Sequence, residues 1–400
     1  MTENRQRERD ERMEITASGR HAEPAQIDFA VPDITENDID EVSRVLRSGW
    51  ITTGRECVLL EQDLAAYLDV AHVVTLSSCT AALETAVAFL GLPPGARVGV
   101  PTWTFASTAL CVVHQGLEPV LLDIDPETLN LSPDALRRAL ADGLEAVIGV
   151  HFAGVALAPE IHELCAAAGV PLIEDAAHAL GTVDHRGRVA GQGTAGACFS
   201  FYATKNLTSG EGGAVATDDD ELADFARSFR LHGLNKDAWA RYHPDAPSGY
   251  DLVSPGIKGN LPDVLAALAR SQFTRFDAMQ SRRRAIVERY RRNLAGVAGL
   301  RFVPGEPDPG SADHLAVVLL PEGTHRPAIT EALSAARIST SVHFQPLHSF
   351  GWFEKNAEIG LGGTPVADAV LDRALSLPLH PGLADSDVDR VCAALTESLA

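Results

Sequence analysis

From residue 72 to residue 217, short apolar runs alternate with helix-patterned segments, and this alternation narrows the fold more than any other feature of the chain. Strands are expected near 72–77, 97–101, 119–124, 146–152, 171–174, 196–202 and 213–217. Helices are expected near 80–90, 104–114, 133–141 and 159–168. Such a series implies a mostly parallel sheet covered on both faces, because parallel strands need a crossover and helices supply it. In sheets of this kind a ligand sits beyond the carboxyl ends of the strands. Before the series, Thr35 opens a helical pattern through Ile39, Val42 and Leu46 that stops at Ser48-Gly49, and Trp50 to Gly54 reads as a turn with an exposed aromatic. After it, 236–260 reads as a long Pro/Gly/Ser-rich loop and 261–294 as a long helical pattern. Strands near 314–320 and 339–344 and helices near 328–336, 367–375 and 386–399 make a small α+β unit. Four hundred residues are too many for one simple core. The expected division is a disordered tail over 1–25, a large ligand-binding domain over 26–265 and a small C-terminal domain over 266–400.

Composition removes several functions. The net charge of -21 offers no phosphate-backbone footprint, so no nucleic-acid partner is expected. The arginines crowded between Arg282 and Arg292 read as a solvated helix face. No apolar run is long enough to span a membrane. The six cysteines are scattered, without paired spacing, which points to a reducing, cytoplasmic compartment and away from disulfides or a zinc site.

Lysine is scarce, with only Lys205, Lys236, Lys258 and Lys355 in the chain. Lys205 follows the apolar run Cys198 to Tyr202 and precedes Gly210-Glu211-Gly212-Gly213, so it stands where a strand end would present a reactive amine. Desolvation disfavours the ammonium form, and a neutral amine can attack an aldehyde. Asp175, past the run 171–174, is placed to hold a protonated heteroaromatic nitrogen. Ser77 to Ala81 forms a strand-to-helix junction of small hydroxylated residues, suited to an anion or simply to capping the helix. Phe105 can stack on a flat ring or pack in the core, and Ser200, five residues before Lys205, can face the same pocket. Together these features fit pyridoxal 5'-phosphate (PLP), an electron sink that needs an imine-forming lysine, a ring-nitrogen carboxylate and an anion cradle.

The stretches Ser48 to Gly54, Ser77 to Leu83, Pro119 to Asp125, Glu174 to His178, Phe199 to Leu207, Glu211 to Gly213, His232-Gly233 and Leu377 to Leu379 resemble the DegT/StrS-type sugar aminotransferases. The resemblance runs from about residue 28 to residue 399. It implies the PLP-dependent transferase fold type I, like aspartate aminotransferase. It also implies that Lys205 forms the imine, Asp175 partners the pyridine nitrogen, Phe105 stacks on the ring, and Thr80, Ala81 and Ser200 bind the phosphate. His178 would sit beside the ring. Asn260 would reach the cofactor phosphate of a neighbouring subunit in a homodimer with shared active sites. Ala177-His178 and His232-Gly233-Leu234 favour enzymes that aminate C4 of a nucleotide-linked 4-keto sugar, with L-glutamate as donor. Trp50, Thr52, His232 and His343 are candidates to shape the sugar site. Amination at C3, a keto-cyclitol substrate and a non-catalytic PLP-binding regulator are the alternatives.

Overall fold

The computed structural model describes residues 25–189, 191–234 and 251–400. The expected N-terminal tail, and residues 235–250 of the expected 236–260 loop, lie outside the described residues.

The main sheet takes β1 (His72–Leu76), β2 (Arg97–Pro101), β3 (Glu118–Leu122), β4 (Ala146–Val150) and β5 (Leu172–Asp175). A short hairpin follows, β6 (Val183–Asp184) with β7 (Gly187–Arg188), and then β8 (Ala197–Ser200) and β9 (Gly213–Thr217). The C-terminal part adds β10 (Arg301–Val303), β11 (Ala316–Leu319), β12 (Glu358–Ile359) and β13 (Ala374–Leu377). The order across the eight-stranded sheet is β1-β9-β8-β5-β4-β2-β3-β12. β9 runs antiparallel to both neighbours, and the remaining pairs are parallel. A three-stranded antiparallel sheet, β10-β11-β13, forms the second unit.

Adjacent residues on the main strands serve opposite faces, as the pleat requires. Ile148, Ile173, Cys198 and Val215 pack with Ala82, Leu83 and Val112 from the helices Cys79–Phe89 and Ser107–His114. Their neighbours Val147 and Leu172 meet Leu136 and Ile161. Phe199 and Ala214 meet Leu60, Leu64 and Ala266 from the helices Arg55–Leu68 and Asp263–Phe273. Both faces are therefore dry, which is why the strands read as continuous apolar runs rather than as alternating ones.

Several expectations shift. The first helix, Glu36–Ser48, starts at Thr35 through a reciprocal capping box with Asp38 and ends at Gly49 in the left-handed conformation. Its apolar residues Ile39 and Leu46 are exposed, at 49% and 54%, whereas Asp38 and Val45 are buried. Asp38 is drawn inward by Arg275, 2.7 Å away. The long pattern from 261 divides into Asp263–Phe273 and Phe276–Leu294. Its arginines are a solvated face only in part: Arg284 and Arg292 are exposed, whereas Arg283 is buried, Arg282 and Arg289 pair with Asp385, and Arg289 also pairs with Asp389. These pairs fasten this helix to Asp385–Ser398. The helix expected near 367–375 is a short helix, Pro365–Val370, followed by β13. The stretch 339–344 makes a single bridge, Ser341 with Ser376, rather than a strand. Trp50 is half-buried, and its Nε1–H donates to Thr53 O at 3.2 Å.

One buried carboxylate ties the two helical layers together. Asp263 accepts from the backbone N–H groups of Gly54 (2.7 Å), Cys57 (3.1 Å) and Glu56 (3.2 Å). These are unpaired donors in the first turn of Arg55–Leu68, whose Ncap Gly54 has no side chain to satisfy them. A side chain could not be fitted there, because a Cβ on Gly54 would lie 2.2 Å from Trp50 Nε1. Asp263→Ala should cost about 3 kcal/mol, since it strands buried donors that faced a charged acceptor. Denaturant unfolding would show it, and a loss below about 0.5 kcal/mol would refute it.

Candidate active site

A cavity of about 440 Å³ opens where β4, β5 and β8 end, with Val150, Asp175 and Ser200 on its wall. That size suits a small-molecule ligand. Lys205 reaches it from the turn after β8. That turn is held by Phe201 N–H to Gly212 O (2.8 Å), Ser209 N–H to Phe201 O (2.9 Å) and Lys205 N–H to Tyr202 O (2.9 Å). No ion pair reaches the Lys205 ammonium among the described residues, and burial pushes its pKa down to about 8. This amine therefore gives up its proton far more readily near physiological pH than an ordinary lysine, although the ammonium still predominates there.

Asp175 closes β5 and is only 6% exposed. Its Oδ2 accepts from Thr108 Oγ1 at 2.8 Å and its Oδ1 from Ala177 N–H at 3.2 Å. Burial raises its pKa, and these hydrogen bonds oppose the rise only in part. No cation lies within ion-pair distance of it among the described residues, so it is a buried carboxylate aimed at a pocket and short of a positive partner. Its neighbour Glu174 points to the opposite face and is fully served, by Arg186 (2.7 Å), His162 (2.8 Å) and Gly191 N–H (3.1 Å). Glu174, His162 and Asp184 are close enough to share an ion, but Arg186 occupies their centre, bonded to both carboxylates.

Beside the strand ends, the helix Cys79–Phe89 points its N-terminus at the cavity. Ser78 is the Ncap, and its Oγ accepts from Ala81 N–H at 3.1 Å. Ser78, Cys79 and Thr80 line the cavity. β9 runs hard against this turn, where a Cβ on Gly213 would sit 2.4 Å from the Ser78 carbonyl carbon. Only a residue without a side chain lets the sheet support the helix start that closely.

Three imidazoles line another wall: His178, His314 and His343. Burial pushes all three below the usual histidine range, His343 to about 4, and the Lys205 charge adds to this. All three are neutral at physiological pH. His178 packs on His314, with centroids 4.3 Å apart, and stacks on Phe344 at 5.8 Å.

Of the residues singled out in the sequence, Lys205, Asp175, His178, Thr80, Phe105, Ser200 and His343 converge on the cavity. Phe105 stands before its helix rather than within it and is 61% exposed. Ala81 is off the wall, buried, with its N–H spent on Ser78. Asn260 is also off the wall, where its Nδ2–H donates to Thr53 Oγ1 at 2.6 Å and Lys258 bonds its Oδ1. Trp50, Thr52 and His232 do not line the cavity either, and Thr52 and His232 are exposed. Thr108, Asn206 and His314 were not singled out. Each joins the site through a tertiary contact that carries no local sequence signal, although Thr108, one helical turn after Thr104, lies on the face turned to β5.

These residues fit PLP. The uncompensated Asp175 carboxylate suits a protonated ring nitrogen, the lowered Lys205 pKa suits imine formation, and the helix start suits a phosphate. A half-buried lysine and a buried carboxylate at the strand ends of a doubly covered, mostly parallel sheet, with a small second unit, define a fold type I PLP-dependent aminotransferase. Residues 32–396 match the model of the DegT/DnrJ/EryC1/StrS aminotransferase family, and the chain belongs to that family. It is 40% identical over 377 residues to the spore coat polysaccharide biosynthesis protein SpsC of Bacillus subtilis (strain 168), covering 92% of this chain and 96% of SpsC. Among solved structures it is similar to the putative sugar aminotransferase Spr1654 from Streptococcus pneumoniae in its PMP-form. The TM-score is 0.85 at 31% identity, over 93% of this chain and 99% of that one. It is likewise similar to S. venezuelae DesV in complex with a ketimine intermediate, with a TM-score of 0.83 at 29% identity, over 94% and 98% of the two chains. The chain is a sugar aminotransferase of this family. No helix among the described residues is long and apolar enough to cross a membrane.

Proposed function

We propose that this enzyme moves the amino group of L-glutamate to C4 of a nucleotide-linked 4-keto sugar, carried on UDP or dTDP. The observation that carries the reading is the polarity of the cavity. Apart from Lys205, no lysine or arginine lines it among the described residues, and Phe29, Phe105, Phe344 and the three neutral imidazoles stand on its wall. Such a wall suits a sugar ring, whose C–H faces pack on aromatics and whose hydroxyls bond neutral nitrogens.

When bound, PLP supplies an electron sink for the carbanion formed at an amine-bearing carbon. Asp175 holds the charge of a ring N–H, with Thr108 and Ala177 fixing its carboxylate. Lys205 Nζ accepts the proton released from the donor carbon and delivers it to the next acceptor. Thr80, Ser200 and the helix start at Cys79 hold the phosphate group. Phe105 and His178 confine the ring. Ala81, with its amide already bonded, contributes only to the shape of that turn. Asn260 lies outside its own cavity and is half-exposed, which favours its reaching a second subunit's site in a homodimer. Trp50, Thr52 and His232 would then act at the dimer contact, and His343 on the sugar.

The amine of Lys205 is protonated below about pH 8 and free above it. PLP capture by the apoenzyme should therefore quicken about tenfold per pH unit on the acid side and level off above pH 8. A flat profile between pH 6 and 9 would contradict the lowered pKa. The reading itself is tested with glutamate and a panel of UDP- and dTDP-linked 3-keto and 4-keto sugars, with the products identified by mass and NMR. A new amine at C4 is expected. An amine only at C3, or no sugar product beside normal conversion of glutamate to 2-oxoglutarate, would overturn it.

A further inference from the structure

His314 borders the cavity, comes from the C-terminal part of the chain and is 5% exposed. Its protonation pattern can be read from neighbours whose roles are fixed. Asn206 faces the carbonyl of Ala312 at 2.8 Å, and a carbonyl can only accept, so the Asn206 atom there is the amide nitrogen. The same Nδ2 donates to Gln280 Oε1 at 2.9 Å, while Gln280 Nε2–H donates to Ala312 O at 3.1 Å. Asn206 Oδ1 is therefore an acceptor, and the 2.8 Å bond to His314 Nδ1 requires the proton on that nitrogen. His314 is left with a bare lone pair on Nε2. Its neighbour is arranged the opposite way. His178 Nδ1 accepts from Ala153 N–H at 3.3 Å, so its proton is on Nε2. The two rings pack face to tilted face at 33°, which hinders either from turning over.

We propose that His314 is a substrate-binding residue whose Nε2 accepts a hydrogen bond from the sugar hydroxyl next to the reacting carbonyl, and that Asn206 acts through it as a positioning residue by fixing the tautomer. The assignment rests on the sugar reading above. The reacting carbon must come to Lys205, which lines the same cavity as His314, and the proposal places the group received by His314 on an atom adjacent to that carbon. In a 4-keto pyranose one neighbour, C5, carries the ring oxygen, and the other, C3, carries the hydroxyl. A neutral donor is favoured over an ammonium because Lys205 and Arg283 already set positive charge against this ring. Acceptance of a hydroxyl by a preset lone pair also gives selectivity, since an analogue lacking it leaves a buried nitrogen unpaired.

The test uses the PLP-loaded enzyme and His314→Phe, which keeps the ring packing and removes the acceptor. Each half-reaction is followed alone by cofactor absorbance. With glutamate, where no sugar is present, the variant should slow by no more than about threefold. With the 4-keto sugar that the wild type uses best, kcat/KM should fall roughly 10- to 100-fold, mostly through KM. With the 3-deoxy counterpart, the two enzymes should agree within about twofold. Equal losses in both half-reactions, or an unchanged response to the 3-hydroxyl, would overturn the proposal. Nitrogen NMR of the wild type gives a check independent of substrate. A protonated Nδ1 at His314 that Asn206→Leu shifts toward Nε2 supports the assignment, and a protonated Nε2 in the wild type overturns it. If no keto sugar reacts, the sugar reading fails while the NMR result still decides the tautomer.

Discussion

Lys205→Ala will lose the visible absorbance of lysine-bound PLP and at least about 10⁴-fold of transaminase turnover. The size follows from one amine doing two jobs. In the proposed reaction it is the nucleophile toward the aldehyde and also the base placed at the donor carbon. No second lysine lines the cavity among the described residues, so no neighbour can substitute. His178 and His314 are close, but both are held well below the usual histidine range and locked in neutral tautomers by Ala153 and Asn206. They are poor relays for a proton. A spectral scan of purified enzyme, followed by glutamate and a keto-sugar nucleotide, measures both losses. Retention of either the absorbance or more than about one per cent of turnover would refute the role.

Asp175→Asn should keep PLP bound and lose about 10²- to 10³-fold in turnover, because the amide matches the carboxylate in shape and lacks the charge that holds a ring proton. The same substitution should act on the empty protein in the opposite sense. Burial raises the Asp175 pKa with no ion-pair partner, so the ionised carboxylate is a burden on the folded state until a cation arrives. The apo variant should therefore melt above the apo wild type, and PLP should raise Tm more in the wild type than in the variant. The sign can be checked by titration. A folded pKa above the unfolded value means stability is lost as pH rises through that range, and the melting gap between apo variant and apo wild type should shrink toward pH 4. Equal turnover in the two enzymes would remove the electron-sink role of this residue.

The parts of this molecule that could be read from its sequence are those in which a few neighbouring residues carry the signal. β1 to β5, β8 and β9 are apolar runs flanked by helix patterns, and Asp175 and Lys205 stand directly past two of them. Thr35 and Gly49 marked both ends of the first helix. Its buried face was not legible, because Arg275, more than two hundred residues away, decides that Asp38 turns inward rather than Ile39. β10, β12 and β13 have three, two and four residues, too few for any period to show. The arginines of Phe276–Leu294 look like a wet surface until Asp385 and Asp389 are seen across from them. Thr108, Asn206 and His314 are likewise meaningful only by what they touch: a carboxylate on β5, a carbonyl at Ala312, and each other.

β12 has a consequence for how this polypeptide can be cut. Although only Glu358 and Ile359, it completes the rim of the main sheet beside β3, and the segment leading to it sends Leu347 and Phe353 into the same interior as the helices Cys79–Phe89 and Ser107–His114, with Leu347 N–H bonded to Thr102 O at 2.7 Å. A fragment ending near residue 265 would therefore expose a naked strand margin and an unfilled apolar hollow, an invitation to self-association. The C-terminal third is a stopper as well as a neighbour, and its freedom to swing relative to the sheet is limited to what that plug allows.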